Sequence, residues 1–368
     1  MKNSMALVAT VGIFMLFFSS FLWAQDDAMD AYLGVKDVRI GGQWFLSYLT
    51  GKVDDGPAVN EFAIRRGYIN IYKDLNDHLS GRITPDISVD HEGDGLGDVE
   101  LRLKYVHLIT RLKDFAFFTK PCFEFGLVHR PWLEFEQSIN SYRVQGTMFI
   151  ERVKILNSAD FGLTFFSLLG GELEEEYQKN VSKAFPGKYG SIAIGVYNGG
   201  GYHAIEENNN KTIESRVSLR PLHAILPGLQ VSYYGGFGKG NSMYEPQWTL
   251  NGAMLSYEAP RFIFTGQAYA GVGNSYGHYV DDNNVAKSHN GYSVFGEFKM
   301  PSRKVSLVTR YDYWNGNDGE DVEDRFSAGI AYRFAQKSRV VIDYELFRDR
   351  TISDEVHGAF EAAFEVKF

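Results

Sequence analysis

The chain closes with Phe360, Phe364, Val366 and Phe368 at alternate positions, interleaved with His357, Glu361, Glu365 and Lys367. Successive side chains on a strand point to opposite faces, so this stretch presents one apolar face and one polar face and ends on an aromatic residue. An apolar face of that kind needs a core or lipid to cover it. The pattern predicts the wall of a closed antiparallel β-barrel, lipid outside and water inside, in which every backbone polar group is paired between strands.

The opposite end of the chain agrees with that reading. Lys2 precedes the apolar run ALVATVGIFMLFFSSFLWA, which closes on Leu22-Trp23-Ala24 before Gln25-Asp26-Asp27. This predicts a secretory signal peptide over residues 1–24, cleaved after Ala24, and a bacterial outer-membrane destination. Residues 25–42 are expected to form a short periplasmic segment and residues 43–368 the barrel. No later apolar run reaches the roughly 20 residues of a spanning helix. The lone Cys122 allows no intrachain disulfide, although export would permit one. A net charge of −9 speaks against a nucleic-acid partner.

Alternating segments joined by short turns and longer polar loops place strands near 43–50, 60–72, 78–90, 99–110, 115–130, 160–171, 189–198 and 211–220. They continue near 229–238, 247–258, 261–272, 289–299, 304–314, 324–334, 338–348 and 356–368. The count is about sixteen, an even number whose closure leaves a water-filled lumen. Residues 131–159 are too long for a hairpin loop and are expected to fold into the barrel as a constriction loop, while 172–186, of helical composition, are expected to be a periplasmic excursion. In the strand Val99–Ile109, Val99, Leu101, Leu103 and Tyr105 are expected on one face and Glu100, Arg102 and Lys104 on the other.

The residues that carry chemistry in such a barrel are the bases able to line its pore: Arg65, Arg66, Arg82, Arg102, Lys104, Arg130, Arg143, Arg152 and Lys154. Fixed positive charge lowers the barrier to anions, and a guanidinium fork suits phosphate or carboxylate oxygens. The competing role for each is a salt bridge to a wall carboxylate such as Glu100, Glu124 or Glu151. Arg65 and Arg66 are adjacent, so alternation lets only one of them face the lumen at mid-membrane. The acidic run 90–98 lacks the EF-hand order, and the histidines, His78, His107, His129 and His203 among them, show no ligand spacing, so no metal or cofactor is expected. Trp44, Tyr68, Tyr72, Trp248, Tyr311, Tyr313 and Trp314 are read as members of the two interfacial aromatic girdles. No nucleophile elbow, phosphate loop or His-Glu-x-x-His motif points to an enzyme.

Four segments, FAIRRGYI (62–69), FEFGLVHRPWLEFEQSINSYRVQGTMFIER (123–152), ADFGLTF (159–165) and IGVYNGGG (194–201), give the chain a resemblance to the phosphate-selective porin O and P family of outer-membrane channels. The resemblance implies a sixteen-stranded homotrimer, constricted by an infolded third loop, through which small anions such as phosphate diffuse. The chain departs from that family in charge, because Glu134, Glu136 and Glu151 interrupt the basic set. Weak rather than strong phosphate binding is therefore expected. The alternative function is a structural or adhesive barrel whose lumen is plugged.

Overall fold

A computed structural model describes residues 37–52, 56–90, 95–335 and 337–368. The expected signal segment 1–24 and the stretch 25–36 lie outside the described residues, as does part of the acidic run 90–98. The strands are β1 (Val38–Gly51), β2 (Val59–Asp74), β3 (Leu79–Val89), β4 (Val99–Arg111), β5 (Phe118–His129), β6 (Ala159–Leu169), β7 (Gly190–Tyr197) and β8 (Thr212–Leu219). Then follow β9 (Leu229–Lys239), β10 (Gln247–Ala259), β11 (Phe262–Val272), β12 (Ser288–Lys299), β13 (Val305–Gly316), β14 (Asp321–Arg333), β15 (Arg339–Asp349) and β16 (His357–Lys367).

Each strand pairs with its sequence neighbour, and β1 pairs with β16, so the sheet is a closed barrel. The register runs from Gln43↔Lys367 to Gly51↔Ala359. Closure is completed beyond the regular ladder by two reciprocal 3.1 Å backbone bonds between Gly42 and Phe368. The Phe368 ring lies where a Cβ on Gly42 would stand. Deleting Phe368 removes both bonds and that ring contact. The expected outcome is a lower yield of the compact, heat-modifiable form on gels; an unchanged yield would show that the terminal aromatic is dispensable for closure.

Alternation decides what each face meets. On β15 and β16, Ile342, Tyr344, Leu346, Phe360 and Phe364 are exposed on the outside, while Asp343, Glu361 and Glu365 are buried within. A continuous apolar exterior around a polar interior is the reverse of a water-soluble domain and is the arrangement lipid stabilises. Among the described residues no helix is long and apolar enough to cross a membrane.

A β-bulge on β4 and a change of exposed face along β2 alter the alternation, and both change expectations. On β4, Leu101, Leu103, Val106 and Leu108 are exposed but Lys104 and Tyr105 are both buried. Thr84 pairs with Tyr105 and Pro85 with Leu103, so Lys104 is an extra residue. The bulge falls at a proline, which has no N–H to give to the ladder. Tyr105 therefore turns inward rather than sharing the face of Val99, Leu101 and Leu103. On β2, Phe62 and Ile64 are exposed whereas Tyr68 is buried, although all three have the same parity. The alternation thus shifts between them, and Arg65 and Arg66 both reach the lumen, against the expectation that only one could. An arginine turned to lipid at the midplane would cost roughly 2–4 kcal/mol, which this inward placement avoids.

The core sits inside the barrel. The connection 130–158 between β5 and β6 carries short helices at Leu133–Ile139 and Phe149–Arg152. Its Trp132, Leu133, Phe135, Ile139, Phe149 and Ile150 pack with Tyr234, Trp248, Met254, Tyr269, Phe295 and Trp314 of the wall. Trp132 stacks on Tyr234 at 3.7 Å between centroids. The apolar side of the connection thus lies against β9 to β13. Tyr68, Trp248 and Trp314 are buried and Tyr72 lines a cavity, so these four are not girdle residues. Tyr313 fits the outer position, stacked at 5.1 Å on the exposed Tyr292. Between β6 and β7, a helix spans Glu175–Asn180, and Phe185 beyond it meets Phe135 at 5.4 Å.

Candidate pore and its charged lining

Polar bonds fasten the other side of the 130–158 connection. Tyr142 Oη donates to Glu297 Oε1 (2.6 Å), Gln145 Nε2 to Asp343 Oδ2 (2.8 Å) and Arg310 Nη1 to the carbonyl of Thr147 (2.8 Å). Arg152 pairs with Asp312 (3.3 Å) and Glu345 (3.5 Å). At the root of the connection Arg130, wholly buried, donates from Nε to both Glu214 oxygens (2.9 and 3.0 Å) and lies 3.9 Å from Asp160. Each of these wall groups projects inward, so the connection is held against the inner face rather than above the rim.

Space remains on the opposite side, between the connection and strands β1 to β3 and β14 to β16. One cavity of about 640 Å³ opens toward the end that holds Phe368 and is lined by Arg82, Lys104, Arg143, Arg333, Lys337, Arg339 and Lys367, with Glu134 and Glu365 as its acids. A second cavity, about 360 Å³, lies toward the other end and is lined by Arg65, Arg66, Arg143, Arg152 and Arg325, with Asp343, Glu345 and Glu361. The two share Phe45 and Arg143. Those residues mark the neck.

Five of the bases along this path, Arg152 among them, face a carboxylate at close range. Arg65 lies 3.7 Å from Glu361, Arg66 3.4 Å from Asp86, Arg325 2.6 Å from Glu345 and Arg339 2.8 Å from Glu365. Three of the others are held by neutral or distant partners. Arg82 donates to Asn70 and Thr84, each at 3.0 Å, and meets His129 Nε2 at 2.7 Å. Lys104 Nζ donates to Tyr68 Oη (3.3 Å) and lies over the Tyr68 ring. Arg143 forms a long ion pair with Glu151, 3.9 Å and beyond hydrogen-bond reach, and its Nε is buried without a hydrogen-bond partner among the described residues.

Of the bases singled out in the sequence, Arg65, Arg66, Arg82, Lys104, Arg143 and Arg152 line the cavities. Three do not. Arg130 is consumed by its buried pair, Arg102 donates to Ser88 (2.9 Å) beside Glu100 (3.8 Å), and Lys154 is exposed with positive φ. Sequence reasoning missed Arg325, Arg333 and Arg339. Their signal was available: with exposed Phe326, Ile330 and Tyr332 on β14 facing out, Arg325 and Arg333 fall on the inner parity. Of the interrupting acids, Glu136 is buried among Trp132 and Gln267 and lines neither cavity.

One further juxtaposition appears in the wall of the first cavity. His107 of β4 and Glu124 and His129 of β5 place potential ligand atoms within 4.8 Å of one another. Sequence spacing hid this cluster because cross-strand pairing creates it.

The closed sixteen-strand antiparallel barrel is a fold shared with solved outer-membrane proteins. An anion-selective porin from Comamonas acidovorans matches with TM-score 0.61 at 9% identity, covering 90% of this chain and 99% of that one. The trimer form of OmpT, an outer membrane protein of Vibrio cholerae, gives 0.58 at 14%, over 90% and 99%. The outer membrane channel DcaP of Acinetobacter baumannii gives 0.51 at 11%, over 90% and 96%. At such identities the likeness shows the fold. No protein-family model and no curated protein matches the sequence.

Proposed function

We propose that the protein is an outer-membrane diffusion channel for small solutes that prefers anions, and that it works as a homotrimer. The observation that carries the reading is the neck: Arg143 stands where the two cavities meet, and the cavity toward Phe368 adds Arg82 and Lys104 on neutral partners. Weakly compensated positive charge in a narrow, low-dielectric passage governs ion preference more strongly than the acidic total of the chain. The solved porins and channels of the same fold support passive diffusion, and one of them is described as a trimer.

Phosphate is within the solute class, in keeping with the family resemblance. Its binding is expected to be weak, because Arg143 is the one base at the neck and a tight phosphate site would need several forks converging. Planar-bilayer recording with purified protein tests the proposal. Steady open conductance with an anion-side reversal potential in a potassium chloride gradient is expected, with chloride current reduced only by millimolar phosphate. Silent membranes would favour the plugged structural barrel, and cation preference would overturn the assignment of the neck.

A further inference from the structure

We propose that His107, Glu124 and His129 form a transition-metal site in the barrel wall, built for a borderline divalent cation such as Zn²⁺ and opening onto the cavity toward Phe368. The ladder between β4 and β5 sets His107 opposite Gly126. Gly126 has φ of +127°, with backbone atoms of Val106 and His107 where a Cβ would stand. Residues five apart on a regular strand face opposite ways; this glycine interrupts the alternation, and Glu124 and His129 converge on the same side, with Glu124 Oε2 2.8 Å from His129 Nδ1.

The His107 ring is arranged as a metal ligand usually is. Its Nδ1 lies 2.9 Å from the carbonyl of Leu127, an acceptor that fixes the proton on Nδ1 and leaves the Nε2 lone pair free. That side chain is wholly buried, and Nε2 has no hydrogen-bond partner while facing Glu124 Oε1 at 3.6 Å. A buried lone pair with nothing to accept is costly unless a donor or a cation supplies the contact.

The third ligand needs a change of tautomer. With Arg82 Nη1 donating to His129 Nε2 at 2.7 Å, the ring proton rests on Nδ1, toward Glu124. A cation between His107 Nε2, Glu124 and His129 Nδ1 takes the place of that proton, which moves to Nε2, where Arg82 Nη1 withdraws and Glu134 Oε1, 3.7 Å away, is the nearby acceptor. Arg82 opposes the cation electrostatically but keeps Asn70 and Thr84 as partners. Glu124 and Glu134 offset its charge. Two imidazoles and one carboxylate suit Zn²⁺, Ni²⁺ or Cu²⁺ rather than Ca²⁺ or Mg²⁺, which favour all-oxygen shells. Water completes the coordination from the cavity that His129 lines.

The test is calorimetric titration of the full chain in detergent, stripped with chelator, using Zn²⁺ and then Mg²⁺, with Co²⁺ absorption as a second readout. One equivalent of Zn²⁺, no heat with Mg²⁺ and visible Co²⁺ ligand-field bands are expected. His107→Ala and Glu124→Gln should each weaken Zn²⁺ binding by more than roughly 100-fold, the upper range for loss of a mere outer-shell partner. His78→Ala, on an exposed turn, should leave binding unchanged. Heat-modifiable migration establishes that each variant is folded, and Glu124→Gln, nearly isosteric, serves where His107→Ala does not fold. Absent saturable uptake, or one-equivalent uptake that survives both variants, would overturn the proposal. Metal binding is read without conductance, so its failure and failure of the channel reading are separable.

Discussion

Replacing Arg143 with glutamate is expected to abolish the proposed anion preference of the pore and reverse its sign. Arg143 is the charged residue common to the two cavities, so along the proposed passage a permeating ion meets it at short range. Two unit charges about 5 Å apart interact by about 3 kcal/mol at an effective dielectric near 20. Water and mobile ions reduce that figure, and roughly half of it already equals a tenfold change in permeability ratio. The anion-to-cation ratio should therefore fall by about tenfold or more in Arg143→Glu. Arg102→Glu is the matched control, since Arg102 lines neither cavity and sits beside Glu100. Reversal potentials in a salt gradient read both variants. Equal shifts in the two would mean that total lumen charge, not the neck, sets selectivity.

The sixteen strands were legible because a barrel wall imposes period two on every segment and because turn composition separates the segments. Expected and observed strands correspond one to one, with disagreements confined to their ends. What alternation cannot reveal is where it is broken. The bulge at Lys104–Tyr105 and the change of face around Arg65–Arg66 each bring two adjacent side chains inward, and each contributes to the cavity lining. Pro85 offered a clue to the first, as a residue that cannot join a ladder. No comparable local signal marked the second.

Pairing across the barrel was equally hidden. Arg130 and Arg143 look alike in sequence, yet one is neutralised by Glu214, far along the chain, and the other stands at the neck. Which bases are free depends on the carboxylates that closure brings opposite them. The same holds for the histidines, whose apparent lack of ligand spacing reflected one strand at a time.

The contrast between those two arginines yields the second large effect, one on stability rather than selectivity. Arg130 and Asp160 side chains are fully buried and Glu214 nearly so. Substituting Arg130 with methionine keeps the bulk but leaves Glu214 without its principal donor in a dry environment. Breaking a buried pair by removing one partner costs about 3–5 kcal/mol, mostly the uncompensated charge that remains. Asp160 is less affected, because it also accepts from the amides of Phe161 (2.7 Å) and Gly199 (2.8 Å). The double variant Arg130→Met with Glu214→Gln should therefore recover more than half of the loss. Urea unfolding in detergent micelles, followed by tryptophan fluorescence, is a suited readout, since Trp248 lies beneath the Arg130 guanidinium and Trp132 is two residues away. A loss below about 1 kcal/mol would place Arg130 among ordinary exposed pairs and contradict its role as the root of the connection. A double variant no more stable than the single one would instead assign the cost to lost packing around Trp248 and Tyr197, not to an orphaned carboxylate.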